Sequence, residues 1–361
     1  MTSPVVLALD FGGTKIAAAA SGLDGVRIGV ATVAAAPSAG ARANLDRAVA
    51  AGYDLLGRVA PDRPLAAVGV STFGIPGPDG VALAPAIDGW ATLAVGRELA
   101  AAFGGVPVRV ATDVKAAAGV EATSGALAGC DPAIYLNLGT GLAVAIVAGG
   151  TVLAGRHGAS GEIGYNLRTR ADVGRGEHER VMLEEVVSGG ALVAAAHRAA
   201  PHLDDPAAVF AAAADHPALA RVLDDFLDEL AFHLVNLAIA VDPERIAVGG
   251  GMVRSWDLIG PRLRAALDAA VPFPPDLVPA AFPFDAPLIG ALMLGAQAAR
   301  ERPADVTATV ASPRDAGPRD ASQLDASQLD ASPAGASPAG ASPIDATPQP
   351  VHDPAPVKKG L

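Results

Sequence analysis

Asp10-Phe11-Gly12-Gly13-Thr14-Lys15 is the stretch whose reading decides the fold. An apolar run from Pro4 to Leu9 precedes it and reads as a buried strand. A second apolar run, Ile16 to Ala20, follows with no room for a helix between the two. The residues between them therefore make a hairpin turn. Adjacent glycines let the backbone approach a ligand and turn its N–H groups toward an anion, while Thr14 and Lys15 add a hydroxyl and a positive charge. Asp10, at the strand's carboxyl end, is placed to hold a hydrated Mg²⁺ beside that anion. The spacing is neither GxxxxGK with Ser or Thr before a helix, nor GxGxxG. A plain glycine hairpin explains the glycines but not the acid, hydroxyl and base around them, so the stretch reads as a phosphate cradle.

At 361 residues the chain is long enough for two domains and a substantial core. Apolar residues make up 51 % and aromatics only 4 %, so packing relies on small aliphatic side chains in a soluble, globular α/β protein. A net charge of -12 and a pI near 4.9 disfavour nucleic acid and anionic membranes as partners. The single cysteine, Cys130, excludes an internal disulfide and a multi-cysteine metal site. With no basic segment before the first apolar run, and no run of membrane-spanning length, a cytoplasmic location is expected.

Further strands are expected at Val26 to Val33, Leu65 to Ser71, Val106 to Ala111, Ala133 to Leu138, Leu142 to Ala148 and Arg245 to Val248. Helical spacing marks Ser38 to Ala60, Leu93 to Phe103, Val114 to Leu127, His216 to Val241 and Leu288 to Ala299, and Leu183-Glu184-Glu185 reads as opening a helix that continues through Ser188 and Gly189. Pro76-Gly77-Pro78 lies in a rigid loop of the kind that carries binding residues. Asp113 stands between a strand and an Ala-rich helix. It reads both as an N-cap and as a carboxylate able to accept a proton from a substrate hydroxyl, and the two roles are compatible. Gly139-Thr140-Gly141, between two apolar strands, repeats the plan of the first hairpin, which suggests two related domains facing each other across a cleft. Gly155 to Tyr165 is a glycine-rich loop carrying Glu162. Gly249-Gly250-Gly251 serves either close packing or the approach of a flat adenine or ribose. His197 and His233 lie in helices and read as structural. From about Pro303 the chain is dominated by Ala, Ser, Pro and Asp and repeats Asp-Ala-Ser-Gln-Leu, a composition expected to remain disordered over 303–361.

Together these motifs resemble the ROK family (repressors, open reading frames and kinases) over roughly residues 4 to 300. Asp10 to Lys15 matches the family's DxGGTK, Pro76 to Pro78 its PGP, and Gly139 to Gly141 its GTG. Thr112 to Glu121 aligns with NDANAAALGE, Gly161 to Tyr165 with GExGH, and Leu183-Glu184 to Ser188-Gly189 with LExxxSG. The resemblance implies a two-domain, actin-like (ribonuclease H-like) ATPase fold with an interdomain cleft. Residues 1–114 would form the smaller domain, with a last helix over 287–302 packing back on it, and 115–286 the larger one. It further implies that Asp113 takes the proton of a primary hydroxyl as that hydroxyl attacks the γ-phosphate of ATP. Asp10, Gly12, Gly13, Thr14, Lys15, Gly139, Thr140, Gly141 and the adenosine-side Gly249, Gly250 and Gly251 would bind ATP, with Mg²⁺ held at Asp10 through water. Gly77, Thr112, Glu162, Tyr165 and Glu184 would bind the acceptor, and a homodimer is the expected assembly.

The departures from the pattern carry information of their own. Where the family's zinc ligands stand in GExGH and CxCGxxGC, this chain has Tyr165, Arg175, Glu177 and Met182, so no zinc is expected, and the loop from Asn166 to Arg180 must be ordered in another way or not at all. Thr112 replaces an Asn and Tyr165 a His, both of which contact the sugar in the family's kinases. The phosphoryl machinery is retained while ring recognition has moved, which favours a sugar-like acceptor other than plain glucose, such as a C7 cyclitol. An ordinary glucokinase or other hexose or N-acetylhexosamine kinase is the alternative. Lys115, where the family has Asn, raises a lapsed, non-catalytic binding protein as a third reading. A sugar-responsive regulator is disfavoured by the acidic charge and by the nine residues before Asp10, too few for a winged helix-turn-helix.

Overall fold

The computed structural model describes residues 3–301, so the reading of 303–361 lies outside the described residues. The chain opens with strands β1 (Val5–Phe11), β2 (Lys15–Gly22) and β3 (Arg27–Ala34), then helix α1 (Gly40–Val59) and strand β4 (Leu65–Thr72). A short hairpin, β5 (Ile75–Pro76) with β6 (Val81–Ala82), leads to helix α2 (Val95–Ala102), strand β7 (Val108–Thr112) and helix α3 (Asp113–Ser124). Strands β8 (Ala133–Leu138), β9 (Leu142–Ala148) and β10 (Thr151–Val152) follow, then helices α4 (Gly189–Ala196), α5 (Pro206–Ala212) and α6 (Pro217–Val241). Strand β11 (Arg245–Gly249), helix α7 (Trp256–Ala270), strand β12 (Asp276–Pro279) and helix α8 (Ala286–Glu301) complete the fold.

These strands form two five-stranded sheets on one plan. The first runs β3-β2-β1-β4-β7, antiparallel across the opening hairpin and parallel from β1 through β4 to β7. The second runs β10-β9-β8-β11-β12, antiparallel across β8 and β9 and parallel from β8 through β11 to β12. Register puts Phe11 beside Thr72 and Thr72 beside Thr112, so the carboxyl ends of three parallel strands align and deliver Asp10, Ser71 and Asp113 to one edge. In the second sheet Gly249 pairs with Asn137, which brings the turn after β11 to the turn after β8.

Side-chain alternation along β1 explains why both faces of the first sheet are covered. Val5, Leu7 and Leu9 join Leu45, Leu55 and Phe103 in one core, while Val6 and Ala8 pack with Ala17, Ala19, Leu288, Ala291 and Leu292 of β2 and α8 in another. In the second sheet Ile134, Leu136 and Leu138 face the core built with α4 to α7, and Ala133 and Tyr135 face Val114, Ala117 and Ala118 of α3. The Ala-rich composition of α3 follows from this crowding. A Cβ on Gly290 would collide with the backbone of Ala116, and one on Gly69 with the backbone of Ala291.

Several elements depart from the expected pattern, three of them for a clear physical reason. The helix expected over Val114 to Leu127 stops at Ser124 because the buried Glu121 carboxylate accepts the N–H of Ala126 at 2.7 Å, and the Leu127 N–H turns back to the Glu121 carbonyl. The same carboxylate accepts the amides of Ala281 and Phe282 at 3.1 and 2.7 Å, tying α3 to the segment before α8. The helix expected from Leu183 onward is broken: Leu183–Glu185 is a single 3₁₀ turn, and α4 starts afresh with the Ser188 hydroxyl accepting the Ala191 N–H as its cap. Strand β12 was hidden by its prolines, which an edge strand tolerates because one side of its ladder is unpaired. Among the described residues no helix is long and apolar enough to cross a membrane.

The α3–α8 contact makes a direct prediction. Gly290→Ala is expected to destabilise the protein by about 1–3 kcal/mol through overpacking. Gly57→Ala, on the exposed face of α1 with nothing near its added methyl, is expected to be neutral or stabilising by about 0.5–1 kcal/mol. Urea denaturation midpoints of the two variants check both signs.

Candidate active site

Asp113 owes its position to a change of backbone direction. Thr112 ends β7 in extended geometry and its Oγ1 accepts the Lys115 N–H at 3.2 Å, so Thr112 caps α3 and Asp113 is its first helical residue. The cap expected of Asp113 is thus supplied one residue earlier. Asp113 Oδ1 accepts the adjacent Val114 N–H at 2.8 Å. The residue keeps partial solvent contact, yet protein closes densely around its carboxyl group. Loss of hydration pushes its pKa up to about 7, the charges of Asp10 and Glu162 push the same way, and the Val114 amide opposes them.

Asp10 is also held above the ordinary carboxylate range, chiefly by burial, against the opposing hydrogen bond from Ser71 Oγ at 2.6 Å and the charge of Lys15. Ser71 escaped the sequence reading. The available signal was a hydroxyl at the carboxyl end of the strand neighbouring β1. At the hairpin tip the Gly12 N–H bonds to the Lys15 carbonyl at 3.0 Å, and Gly13, Thr14 and Lys15 are exposed. Asp10 offers hard carboxylate oxygens beside this turn, a donor type that suits Mg²⁺.

On the opposite side Glu162 and Lys115 influence each other: burial raises the acid and lowers the half-buried base, while each charge favours the other's ionised form. Glu184 braces two turns at once. Its Oε2 accepts the Leu142 N–H at 2.8 Å, its carboxylate fills the space a Cβ on Gly141 would take, and its own Cβ lies against Gly164. Tyr165 follows Gly164, and its phenol is held protonated by burial and by Glu177, Glu162 and Glu184. The turn Gly139 to Gly141 is further fixed by the Gly189 N–H, which bonds to the Gly139 carbonyl at 2.8 Å, and Thr140 at its tip is exposed. Gly250, at φ 90, donates to the Pro283 carbonyl at 3.1 Å and sits against the Leu138 carbonyl, while Gly249 is pressed on the Tyr135 ring and Gly251 opens a 3₁₀ turn. The second and third glycine turns are therefore neighbours.

The Gly77 N–H closes a tight turn onto the Gly80 carbonyl at 2.8 Å, and Pro76, Gly77 and Pro78 line a cavity of about 280 Å³ with Val95, Arg97 and Val110.

The loop after Tyr165 is ordered by side chains. Arg180 donates to the Tyr165 carbonyl at 2.7 Å and the Asn166 carbonyl at 3.1 Å, and Arg168 pairs with Glu229 of α6 at 2.7 Å. Asn166 bonds to the buried His233 ring at 3.3 Å, and short turns at 170–172 and 177–179 are closed by Asp172 and Glu179. The contacts with α6 are not visible as a local motif, because their partners lie about 60 residues away in sequence. Among the described residues no group of three or more His, Cys, Asp or Glu is arranged to hold a metal ion.

Comparisons with known proteins agree with this geometry. The chain is 35 % identical over 204 residues to the bifunctional enzyme NanE/NanK of Brucella melitensis, a match covering 56 % of this chain and 38 % of that longer protein. The chain thus spans under two fifths of that relative. It is 30 % identical over 276 residues to the kanosamine kinase of Amycolatopsis mediterranei, covering 74 % of this chain and 87 % of that one. The crystal structure of a ROK family glucokinase from Streptomyces griseus in complex with glucose and AMPPNP superposes with a TM-score of 0.67 at 28 % identity, over 81 % of this chain and 99 % of that chain. The α/β architecture of two mixed five-stranded sheets is that of the actin-like ATPases, as the motifs implied. With the ROK family profile matching residues 6–298, the chain belongs to the ROK family.

Proposed function

We propose that this protein transfers the γ-phosphoryl group of ATP to a primary hydroxyl of a sugar or sugar-like cyclitol. The observation that carries the reading is the placement of Asp113 at the edge where β1, β4 and β7 end, beside Asp10 and Ser71, where burial and the charges of Asp10 and Glu162 push its pKa up. In this chemistry Asp113 accepts the hydroxyl proton while the hydroxyl oxygen bonds to the γ-phosphorus and the bond to the β,γ-bridging oxygen breaks, releasing ADP. The exposed tip of the first hairpin, Gly13 with Thr14 and Lys15, braced by Gly12, and the turn Gly139 to Gly141 hold the phosphates, and Gly249 to Gly251 flank the adenosine. Asp10 would hold Mg²⁺ through water, and that ion, when bound, neutralises charge on the phosphate oxygens. Two lobes, 1–114 with the final helix and 115–286, would close over the substrates and exclude water. A homodimer in the cytoplasm is the proposed setting, and zinc has no part in the reading, since Arg175, Glu177 and Met182 do not make a zinc site.

Glu162, Glu184 and Tyr165 form the acceptor side, with Thr112 behind Asp113. Thr112 Oγ1 is committed to the helix cap, and the Tyr165 phenol is a donor surrounded by carboxylates, so the hydroxyl pattern accepted here differs from one built on Asn and His. We place the acceptor among C7 cyclitols or modified hexoses, and the kanosamine kinase relative makes an aminohexose the second class to test.

Purified protein with Mg·ATP and a panel of glucose, N-acetylmannosamine, kanosamine and C7 cyclitols is expected to release ADP with one acceptor class. Asp113→Asn is expected to lose about 10²–10⁴-fold in kcat. A strict preference for glucose overturns the acceptor reading, and transfer to no acceptor overturns the kinase reading.

Asp113 also predicts a pH signature. Its pKa rises from 3.8 to about 7 on folding, so its contribution to stability is intact below about pH 4 and is lost as pH rises toward 7. The Asn variant, inactive, is therefore expected to melt a few degrees above wild type at pH 8 and by a smaller margin at pH 5, because each tenfold change in proton affinity corresponds to about 1.4 kcal/mol. Wild-type kcat/KM should rise with pH through about 7. Calorimetry and a pH–rate profile check the two arms.

A further inference from the structure

The segment that carries Glu162 and Tyr165 has little regular structure of its own. Its internal support is a single 3₁₀ turn, Ile163–Tyr165, closed by the Asn166 N–H on the Ile163 carbonyl at 2.9 Å. A turn of this kind leaves its outgoing carbonyls without partners from the same element. Here those carbonyls, of Tyr165 and Asn166, both point at one guanidinium: Arg180 Nη2 donates to the first at 2.7 Å and Nη1 to the second at 3.1 Å. The planar fork of an arginine fits two successive carbonyls without further ordering. From the other side the Asn166 amide meets His233 Nδ1 at 3.3 Å, and Arg168 meets Glu229 one helical turn earlier on α6. Arg180 is half-buried, and its bonds run to backbone oxygens, so what it fixes is the path of the chain at Tyr165.

We infer that Arg180 is a positioning residue for the acceptor: by clamping the carbonyls of Tyr165 and Asn166 it sets the direction in which the Tyr165 phenol and the Glu162 carboxylate face the incoming hydroxyls. This deepens the kinase reading and rests on it for its kinetic arm. The donor side, built from the glycine turns and Asp10, is outside the clamp. Loss of Arg180 therefore weakens acceptor binding and leaves nucleotide handling in place.

The test uses the full chain with Arg180→Gln and Arg180→Lys. With the acceptor that wild type phosphorylates, Arg180→Gln is expected to raise the acceptor KM about tenfold or more, as losing two charge-assisted bonds implies, while kcat and the KM for ATP stay within about twofold. Arg180→Lys, which keeps one donor in reach, is expected to recover part of the loss. Without any substrate, hydrogen exchange in Arg180→Gln should quicken at residues 163–170 and remain as in wild type in the two sheets. An unchanged acceptor KM, or a rise in the KM for ATP of equal size, overturns the inference. So does unchanged exchange at residues 163–170. Should wild type phosphorylate nothing, the kinase reading falls, and the exchange pattern still decides whether Arg180 holds this turn.

Discussion

Between Ala116 of α3 and Gly290 of α8 there is no room for a methyl group, and that contact sets the position of everything at the strand edge. Helix α3 is enclosed by α8 and the second sheet, with Val114, Ala116, Ala117, Ala118 and Val120 all buried. Only small side chains can satisfy so many close neighbours, and the price is a helix with almost no amphipathic face to signal its environment. The buried Glu121 carboxylate completes the arrangement with three backbone amides, one from its own C-terminal turn and two from the segment leading to α8. The first residue of the helix, Asp113, is thereby fixed from both ends: by the Thr112 cap below it and by the packing of the turns that follow.

That fixed position is electrostatically unfavourable. Asp113 has lost much of its hydration and faces Asp10 and Glu162, so its ionisation in the folded state is opposed by burial and by like charge. A site selected only for stability would place an amide there. Carboxylates retained against such a gradient are a mark of chemistry, because a group titrating near pH 7 exchanges a proton with a hydroxyl far more readily than one at 3.8. Ser71 moderates the strain at Asp10 by a short hydrogen bond, and Lys115 does so for Glu162. The local compensation is partial, and the raised values remain.

Much of this was legible in the sequence because it depends on local rules. Strand, glycine turn and strand at Asp10–Lys15 and again at Gly139–Gly141 are continuous apolar runs broken by residues that permit a tight turn, and both hairpins stand where they were expected. Asp113 was found because it follows a buried strand and precedes a helix. What stayed hidden depends on distant partners. The end of α3 at Ser124 comes from the Glu121 side chain, not from a breaker alone, and the interruption after Glu185 comes from a fresh cap at Ser188. Ser71 gains its meaning only from the register of β4 on β1, and Arg180 only from the return of its loop to Tyr165. Glu184 stood in a stretch read as opening a helix, yet its carboxylate reaches across to the Leu142 amide.

Glu184 also touches two separate turns. Through the Leu142 amide and its contact with Gly141 it braces the turn after β8, and through Gly164 it touches the turn that carries Tyr165. The Gly189 amide, at the start of α4, holds the Gly139 carbonyl from behind. Neither Gly141 nor Gly164 could take a side chain without displacing Glu184 or its neighbours, so the close approach is built into the glycines. Under the proposed chemistry those turns hold the phosphates and the acceptor respectively. Glu184 would then stand between the transferred group and the attacking hydroxyl, while Asp113, carried by α3, supplies the base from the other sheet's edge.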